Sequence, residues 1–495
     1  MSKLIIQNGN MCELDLPLKF AQKLYNEFAI RHPNAFYLRT RQRGMQNWDG
    51  KIHYITKTGQ FKIGLLPKVY DMCIEMGIKP KVVDMRQPLP KVSKVVTNIG
   101  KYKLRPEQEK AVKAVINNKI GNTPFHICVL DYTVNAGKTL IMSSLYLSYK
   151  KQLKTLLITN DSDWLNQARE EFKQYLPGED ITFVQGKVLN WSNFTIGMVQ
   201  SISRNMRFYQ KELSQIDMVL IDEADQGGSK QYQNVITRLF NTRIRIGLSG
   251  TIYMSKLAKD RVKNMNLECF FGKVIAEFKL KDSIKKGYST KTVVKMVPGK
   301  PWYGNWESDC ISYKEIYDDS ITNCYTAWLM AYNRLLWNLN QGRYPALVVC
   351  KHIAHCENLY KFFKKKLGDA YNIAYVHVNT PSKLRQQIMK DFREGKIDIL
   401  VSTTIIARGK NFPKLRYLLN AASMDSQEKS IQFLGRLVRT DKSKKKVYLD
   451  DLHYPGPYLD RHGKHRKQYY QRQELKVILL DKLWKKHPNH SLIKS

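Results

Sequence analysis

Three segments of the chain carry residue types whose spacing suits phosphoryl chemistry. The first, TVNAGKT (133–139), lies between an apolar run and the helical run LIMSSLYLSYKK. At a helix start the backbone N–H groups are free, so amides around Asn135, Ala136 and Gly137 can cradle phosphate oxygens. Lys138 then lies against the terminal phosphates, and Thr139 offers its hydroxyl to Mg²⁺. Tyr132 stands where the usual GxxxxGK[ST] pattern has its first glycine. The second segment, MVLIDEAD (218–225), is an apolar strand ending in carboxylates. Asp222 is expected to hold the Mg²⁺, and Glu223 to polarise an attacking water. The third, SQEKSIQFLGRLVRT (426–440), carries Gln432, Arg436 and Arg439. A three-residue spacing is expected to set both arginines on one helical face, aimed at a phosphoryl group in its transition state.

Such residues need a rigid frame. From residue 96 onward, short β-branched runs alternate with longer amphipathic ones, the pattern of βα units around a parallel sheet. One block offers strands at 126–131, 155–160, 194–199, 217–222 and 243–249; a second offers them at 345–350, 372–378, 398–403, 416–422 and 446–450. The fold class expected is α/β, with two tandem RecA-like lobes, a small α+β N-terminal domain and a basic helical tail. The boundaries are 1–95 for the N-terminal domain, 96–275 for lobe 1, 276–460 for a linker and lobe 2, and 461–495 for the tail. GKPWYGNWESDC (299–310) reads as the linker or an insertion. No internal repeat stands out in the sequence.

Composition narrows the class. Lys plus Arg number 82 against 43 Asp plus Glu, a formal net charge of +39, which points to a polyanionic partner. Hydrophobic residues at 43% are enough for packed domains, which excludes a disordered chain. The start has no secretory pattern and no apolar stretch is long enough to span a bilayer, so the expected location is the cytoplasm, with no membrane partner. The eight cysteines contain no CxxC pair and read as reduced core residues. His352, His355 and Cys356 are the one cluster to test for metal; following an apolar strand, they read as core.

In order and spacing, LRPEQ (104–108), TVNAGKT, LLITNDSDWLNQ, MVQSIS, IDEAD, GLSGT (247–251), LVVCKH, DILVSTTIIARGKNFP and QFLGRLVR resemble the motifs of superfamily 2 DExD/H helicases over roughly residues 100–450. The resemblance implies ATP as the nucleotide, one site served by both lobes, adenine contacts from Gln108 with Arg105 nearby, and a further nucleotide contact at Gly409. It implies strand contacts from Asn160, Gln200, Lys351 and Thr403, and coupling of hydrolysis to strand movement by Ser249–Thr251. Asn411 stands where many members have Asp.

Before residue 96, LPLKFAQKLYNEFAIRH spaces Leu18, Ala21, Tyr25 and Phe28 as one helical face, followed by FYLRTRQRGMQNWDGKIHYI. That stretch and its WDG turn are similar to the N-terminal domain of UvsW-type phage recombination helicases. This implies a phage-encoded DNA helicase or translocase, a monomeric motor acting on single-stranded and branched duplex DNA, with RNA in R-loops as a second partner. Arg41, Arg43 and Trp48 then suit base stacking within a cationic cluster. Two alternatives stand beside this reading: an RNA helicase, since DEAD at 222–225 is spelled as in that branch, and a nucleic-acid-binding protein with weak or lost hydrolysis.

Overall fold

A computed structural model describes residues 2–41, 44–149, 152–160, 162–186, 191–252, 260–299, 312–407, 412–441 and 443–480. Arg43, Gly409, Asn411 and the expected linker from residue 300 lie outside them. The chain divides into two compact units, Met1–Phe278 and Lys279–Ser495.

The first unit opens with a four-stranded sheet. Strands β1 (Lys3–Ile6), β2 (Met11–Asp15), β3 (Gln60–Lys62) and β4 (Lys81–Asp84) are ordered β3-β2-β1-β4. Helices α1 (Leu18–Glu27), α2 (Ala35–Arg41) and α3 (Leu66–Glu75) accompany it. Helix α1 is shorter than expected, and Ala29–Arg31 pairs with Lys51–His53 as a ribbon. Leu18 is exposed, Leu24 is buried in its stead, and Tyr25 stacks on His53 at 4.1 Å. The buried face therefore runs through Leu24 and Phe28 rather than from Leu18.

The rest of this unit is a parallel sheet of β5 (His126–Tyr132), β6 (Thr155–Thr159), β7 (Ile181–Val184), β8 (Phe194–Met198), β9 (Met218–Asp222), β10 (Ile244–Ser249) and β11 (Val274–Phe278), ordered β7-β8-β6-β9-β10-β5-β11. Its inner strands are buried on both faces, which is why most of their residues are apolar. Helices α4 (Pro106–Ile116) and α5 (Lys138–Ser148) flank it.

The two sheets share one apolar cluster, in which Leu4, Ile6 and Phe61 join Ile127, Val129 and Phe271. A buried cation fastens them. Arg245 on β10 donates to the carbonyl of Gly9 and to Asn10 Oδ1 at 2.8 Å each, and to the carbonyl of Phe270 at 3.0 Å. Gly9 approaches so closely that a Cβ there would collide with the carbonyls of Leu239, Phe240 and Thr242. Burial of a guanidinium requires such acceptors, and they come from residues 9–10.

The second unit repeats the winding. Strands β12 (Lys291–Pro298), β13 (Ala346–Cys350), β14 (Ile373–Val376), β15 (Ile399–Thr403), β16 (Tyr417–Asn420), β17 (Lys446–His453) and β18 (Val477–Leu479) are ordered β14-β15-β13-β16-β17-β12-β18, all parallel. This is the first unit's strand order over again, a repeat of topology that sequence comparison within the chain does not show. Helices α6 (Tyr325–Leu339), α7 (Gln427–Leu437) and α8 (Leu459–Arg472) pack in this unit. Of the expected tail, residues 461–480 are built into the fold, and 481–495 lie outside the described residues: Arg466 on α8 is fully buried and bonded to Asp451 at 2.9 Å, and β18 pairs with Val294–Met296.

Candidate nucleotide and nucleic-acid site

The loop 133–139 follows β5 and ends at Gly137, whose φ of 70° opens α5. The φ favours glycine, and a Cβ on Gly137 would push aside the amide end of the Gln108 side chain. Gln108 spans two elements. Its Oε1 accepts from the Arg105 backbone N–H at 2.8 Å, closing the start of α4, while its Nε2 donates to the carbonyl of Ala136 at 2.8 Å. Arg105, Gln108, Asn135, Ala136 and Gly137 thus fall together.

Strand β9 lies in the same sheet, and Asp222 at its end sets Oδ1 3.6 Å from Lys138 Nζ. Glu223 next to it has a left-handed backbone, φ 54°, turning the chain sharply after the strand. The Ser249 hydroxyl donates to Asp225 Oδ1 at 2.7 Å, joining the end of β10 to the carboxylate segment. Beyond β6, Asn160 Nδ2 bonds Gln226 Oε1, and Gln200 Nε2 donates to the carbonyl of Asn160 at 3.2 Å. Asn160 and Gln200 are thereby neighbours, tied to the residues after Asp225.

In the second unit, Lys351 follows β13 with its ammonium 4.0 Å from the ring of Tyr313 and 5.0 Å from that of Tyr317. Burial, and then the nearby charge of Lys429, hold its pKa below the usual lysine value. Thr403 ends β15 and is buried, and Lys429 Nζ reaches Thr404 Oγ1 at 3.3 Å. Gln432 and Arg436 lie on α7, four residues apart. Arg439 lies past the C-cap Val438, so the expectation that both arginines share a helical face is corrected. Thr290 fixes that segment instead, donating its backbone N–H to the carbonyl of Val438 at 2.8 Å and its hydroxyl to that of Arg439 at 3.1 Å.

The N-terminal aromatic and basic stretch falls on α2 and the turn after it. Trp48 is half-buried, its indole N–H donating to the carbonyl of Lys51 at 2.9 Å and its ring edge-on to His32 at 5.7 Å. Asp49 accepts from His53, which together with the Lys51 N–H holds its carboxyl below the usual range. Arg41 lies 4.9 Å over the ring of Tyr37. A cavity of about 400 Å³ opens between Arg31, Phe36, Arg39 and Gln46.

Residues 101–254 match the family described as "Type III restriction enzyme, res subunit", and residues 329–441 match "Helicase conserved C-terminal domain". The two matches fall on the two parallel-sheet units and cover the loop, the carboxylates and the arginines. A third comparison covers most of the chain: "ATP-dependent DNA helicase uvsW" of Enterobacteria phage T4 is 22% identical over 452 residues, 82% of either protein. The chain belongs to the superfamily 2 helicases. A helicase of the Sulfolobus islandicus filamentous virus is also 22% identical, over 385 residues; the match takes in 71% of this chain and less than two thirds, 64%, of the viral protein. Among solved structures, S. cerevisiae Dbp5 bound to RNA and ADP BeF3 shares the fold with a TM-score of 0.52 at 14% identity, over 77% of this chain and 91% of that one.

Membership implies ATP as the nucleotide and a nucleic acid as the substrate of this helicase, and its residues fit a phosphate ligand. Thr133 Oγ1 and both amide atoms of Asn135 are buried with no hydrogen-bond partner among the described residues. Buried donors and acceptors left so call for a partner, and a phosphate ligand with its bound water would supply one. Asp222 and Thr139 carry the hard oxygen donors that Mg²⁺ would take. Among the described residues no group of three His, Cys, Asp or Glu side chains that could hold a metal ion occurs. His355 is buried against the Tyr317 hydroxyl at 3.3 Å, and burial pushes its pKa down to about 3. Among the described residues, no helix is long and apolar enough to cross a membrane.

Sequence reading missed Asp225, Gln226 and Lys429, whose partners are distant in the chain, and did not single out Phe36 and Tyr37, whose rings are exposed, within the aromatic and basic stretch. It also left Tyr132 unexplained. The ring is buried and its hydroxyl donates to the carbonyl of Glu107 at 2.8 Å, so it braces α4 against the loop where a glycine would leave a void. Tyr132→Gly, which restores the usual motif, is therefore expected to destabilise the first unit by about 3–5 kcal/mol, the range for emptying a buried aromatic site. A chemical-denaturation midpoint equal to the parent's would show that the ring has no bracing role.

Proposed function

We propose that this helicase is an ATP-driven DNA translocase acting on branched, recombination or replication intermediates, with residues 1–95 selecting the structure and the two RecA-like lobes supplying the motion. The observation that carries the reading is the meeting of Lys138, Asp222 and Gln108 around one loop, in a unit that also carries the cationic and aromatic helix α2. The likeness, over 82% of either protein, to a T4 protein named as a DNA helicase supports DNA over RNA, as does Gln432 in QFLGRLVR.

In this reading Lys138 binds the β and γ oxygens, and backbone amides at 135–137 hold the phosphates. Gln108 reads adenine with Arg105 beside it, and Gly409 adds a nucleotide contact. Thr139 and Asp222 would hold Mg²⁺, which supplies neutralisation of phosphate charge when bound. Glu223 takes a proton from the attacking water as its oxygen adds to the γ-phosphorus and the bond to the β–γ bridging oxygen breaks. Gln432, Arg436 and Arg439 act on the γ-phosphoryl charge. Asn160, Gln200, Lys351 and Thr403 contact the strand backbone, so sequence preference is slight.

The structure-selecting role rests on Arg41, Arg43 and Trp48. Deleting 1–95 is a poor probe, because it strips the buried Arg245 of two of its acceptors. Charge reversals are cleaner, since Arg41 is exposed. Arg41→Glu with Arg43→Glu is expected to leave ATPase stimulation by plain single strands intact. Unwinding of forks, junctions and R-loops should fall tenfold or more, because each hydrogen bond to a charged group contributes about 1.5–3 kcal/mol. Parent-level unwinding of the branched panel by the folded variant would assign residues 1–95 a structural role only.

A further inference from the structure

One face of the second unit gathers cations that the motif residues do not account for. On α6, Arg334 and Trp337 are three residues apart and lie on one side of the helix. The indole of Trp337, 36% exposed, has Lys295 Nζ at 4.6 Å, the Arg343 guanidinium at 4.7 Å and that of Arg334 at 5.0 Å. Arg343 also lies 3.6 Å over the ring of Tyr448, with Lys446 Nζ 5.7 Å from the same ring. Lys446 is directly opposite Lys291 in the pairing of β17 with β12, a like-charge pair that costs sheet stability on its own.

Counter-charge is short. Asp450 is the carboxylate of the cluster, and it is already committed: Arg334 donates to it at 2.6 and 2.9 Å, Tyr417 at 3.1 Å and Asn338 at 3.2 Å. Among the described residues no carboxylate forms an ion pair with Lys295, Arg343 or Lys446. Burial and the neighbouring cations hold the Lys295 ammonium below its usual pKa, as expected of a crowded site short of anions. The cluster is also apart from the strand-contact motifs. Lys291 and Lys446 begin their strands, whereas Lys351 and Thr403 lie at the ends of theirs, and all seven strands run parallel.

Cations occupy the surroundings of both rings, so the aromatics organise the charge rather than stack a base. An arginine fork and an ammonium held together in this way match the oxygens of successive phosphates. We propose that Lys295, Arg343 and Lys446, gathered around Trp337 and Tyr448, form a second phosphodiester-binding surface that grips the nucleic-acid backbone away from the motif residues. This rests on the nucleic-acid reading above and adds a place on the fold to it.

The test uses the full chain carrying Lys295→Gln and Arg343→Gln, with Arg334 kept because its loss would strand the buried Asp450. Binding of fluorescent oligo-dT and oligo-rU is followed by anisotropy over a salt series. With two fewer phosphates neutralised, the slope of log affinity against log salt should become shallower by about 1.4, at about 0.7 per single-strand phosphate. ATP hydrolysis without nucleic acid should stay at the parent rate. The charge-preserving Lys295→Arg variant should keep the parent slope, which a purely structural role for the cluster would not require. A shallower slope with oligo-dT alone assigns the surface to DNA, and with oligo-rU alone to RNA; both support the site. An unchanged slope with both strands, in a parent that binds them, overturns this surface and leaves the patch to an acidic protein partner. A parent that binds neither overturns the nucleic-acid reading as well.

Discussion

Lys138→Ala is expected to reduce ATP hydrolysis by about 10²–10³-fold or more, the cost of removing one preorganised charge from a transition-state site, while single-strand binding stays near the parent level. The separation follows from position. Lys138 lies against Asp222 at the loop mouth, whereas Asn160 and Gln200 form their own bonded group beyond β6. Glu223→Gln tests the adjacent role. It keeps Lys138 and Asp222, so nucleotide should still bind, yet loss of the base should slow turnover by about 10²–10⁴-fold. Rapid-quench hydrolysis beside equilibrium binding of a fluorescent ATP analogue distinguishes the two variants. If Glu223→Gln lost nucleotide as Lys138→Ala does, Glu223 would be a binding group and the proton would go elsewhere.

Arg439→Ala should lower kcat by about 10³-fold with little change in ATP affinity, the order found where an arginine neutralises charge on a transferring phosphoryl group. The backbone at this position is held by Thr290, just before β12, so truncation of the side chain leaves the chain path in place. Arg436, in the last turn of α7, should matter in the same direction. Weakened ATP binding with an undiminished kcat would mean that these arginines hold the ground state only.

What could be read in the sequence follows physical lines. Strands β5, β6, β9, β13, β15 and β16 are covered on both faces, so each holds a consecutive apolar run that stands out. The edge strands β7, β11 and β18 are half-covered and short, and β12 is broken by Lys295, so periodicity alone does not separate them from loop. The loop, the carboxylates and α7 were legible because each is contiguous in the chain. Arg245 was not. RIRIGLS reads as a strand, but nothing in it marks Arg245 as buried, and its acceptors at Gly9 and Asn10 are more than two hundred residues away in sequence. For the same reason the packing of the small N-terminal α+β domain was not legible: its buried residues from Leu4 to Val82 join the apolar cluster of the sheet behind it.

The central claim is that the loop at 133–139 and the carboxylates at 222–223 hydrolyse ATP in response to DNA. Its most direct measurement is the steady-state ATP hydrolysis rate of the parent chain with and without single-stranded and forked DNA, run beside Lys138→Ala. A low basal rate is expected, with a marked rise on adding either DNA and no rise in the variant. A parent rate that is indifferent to DNA, or a variant that is stimulated as the parent is, would contradict it.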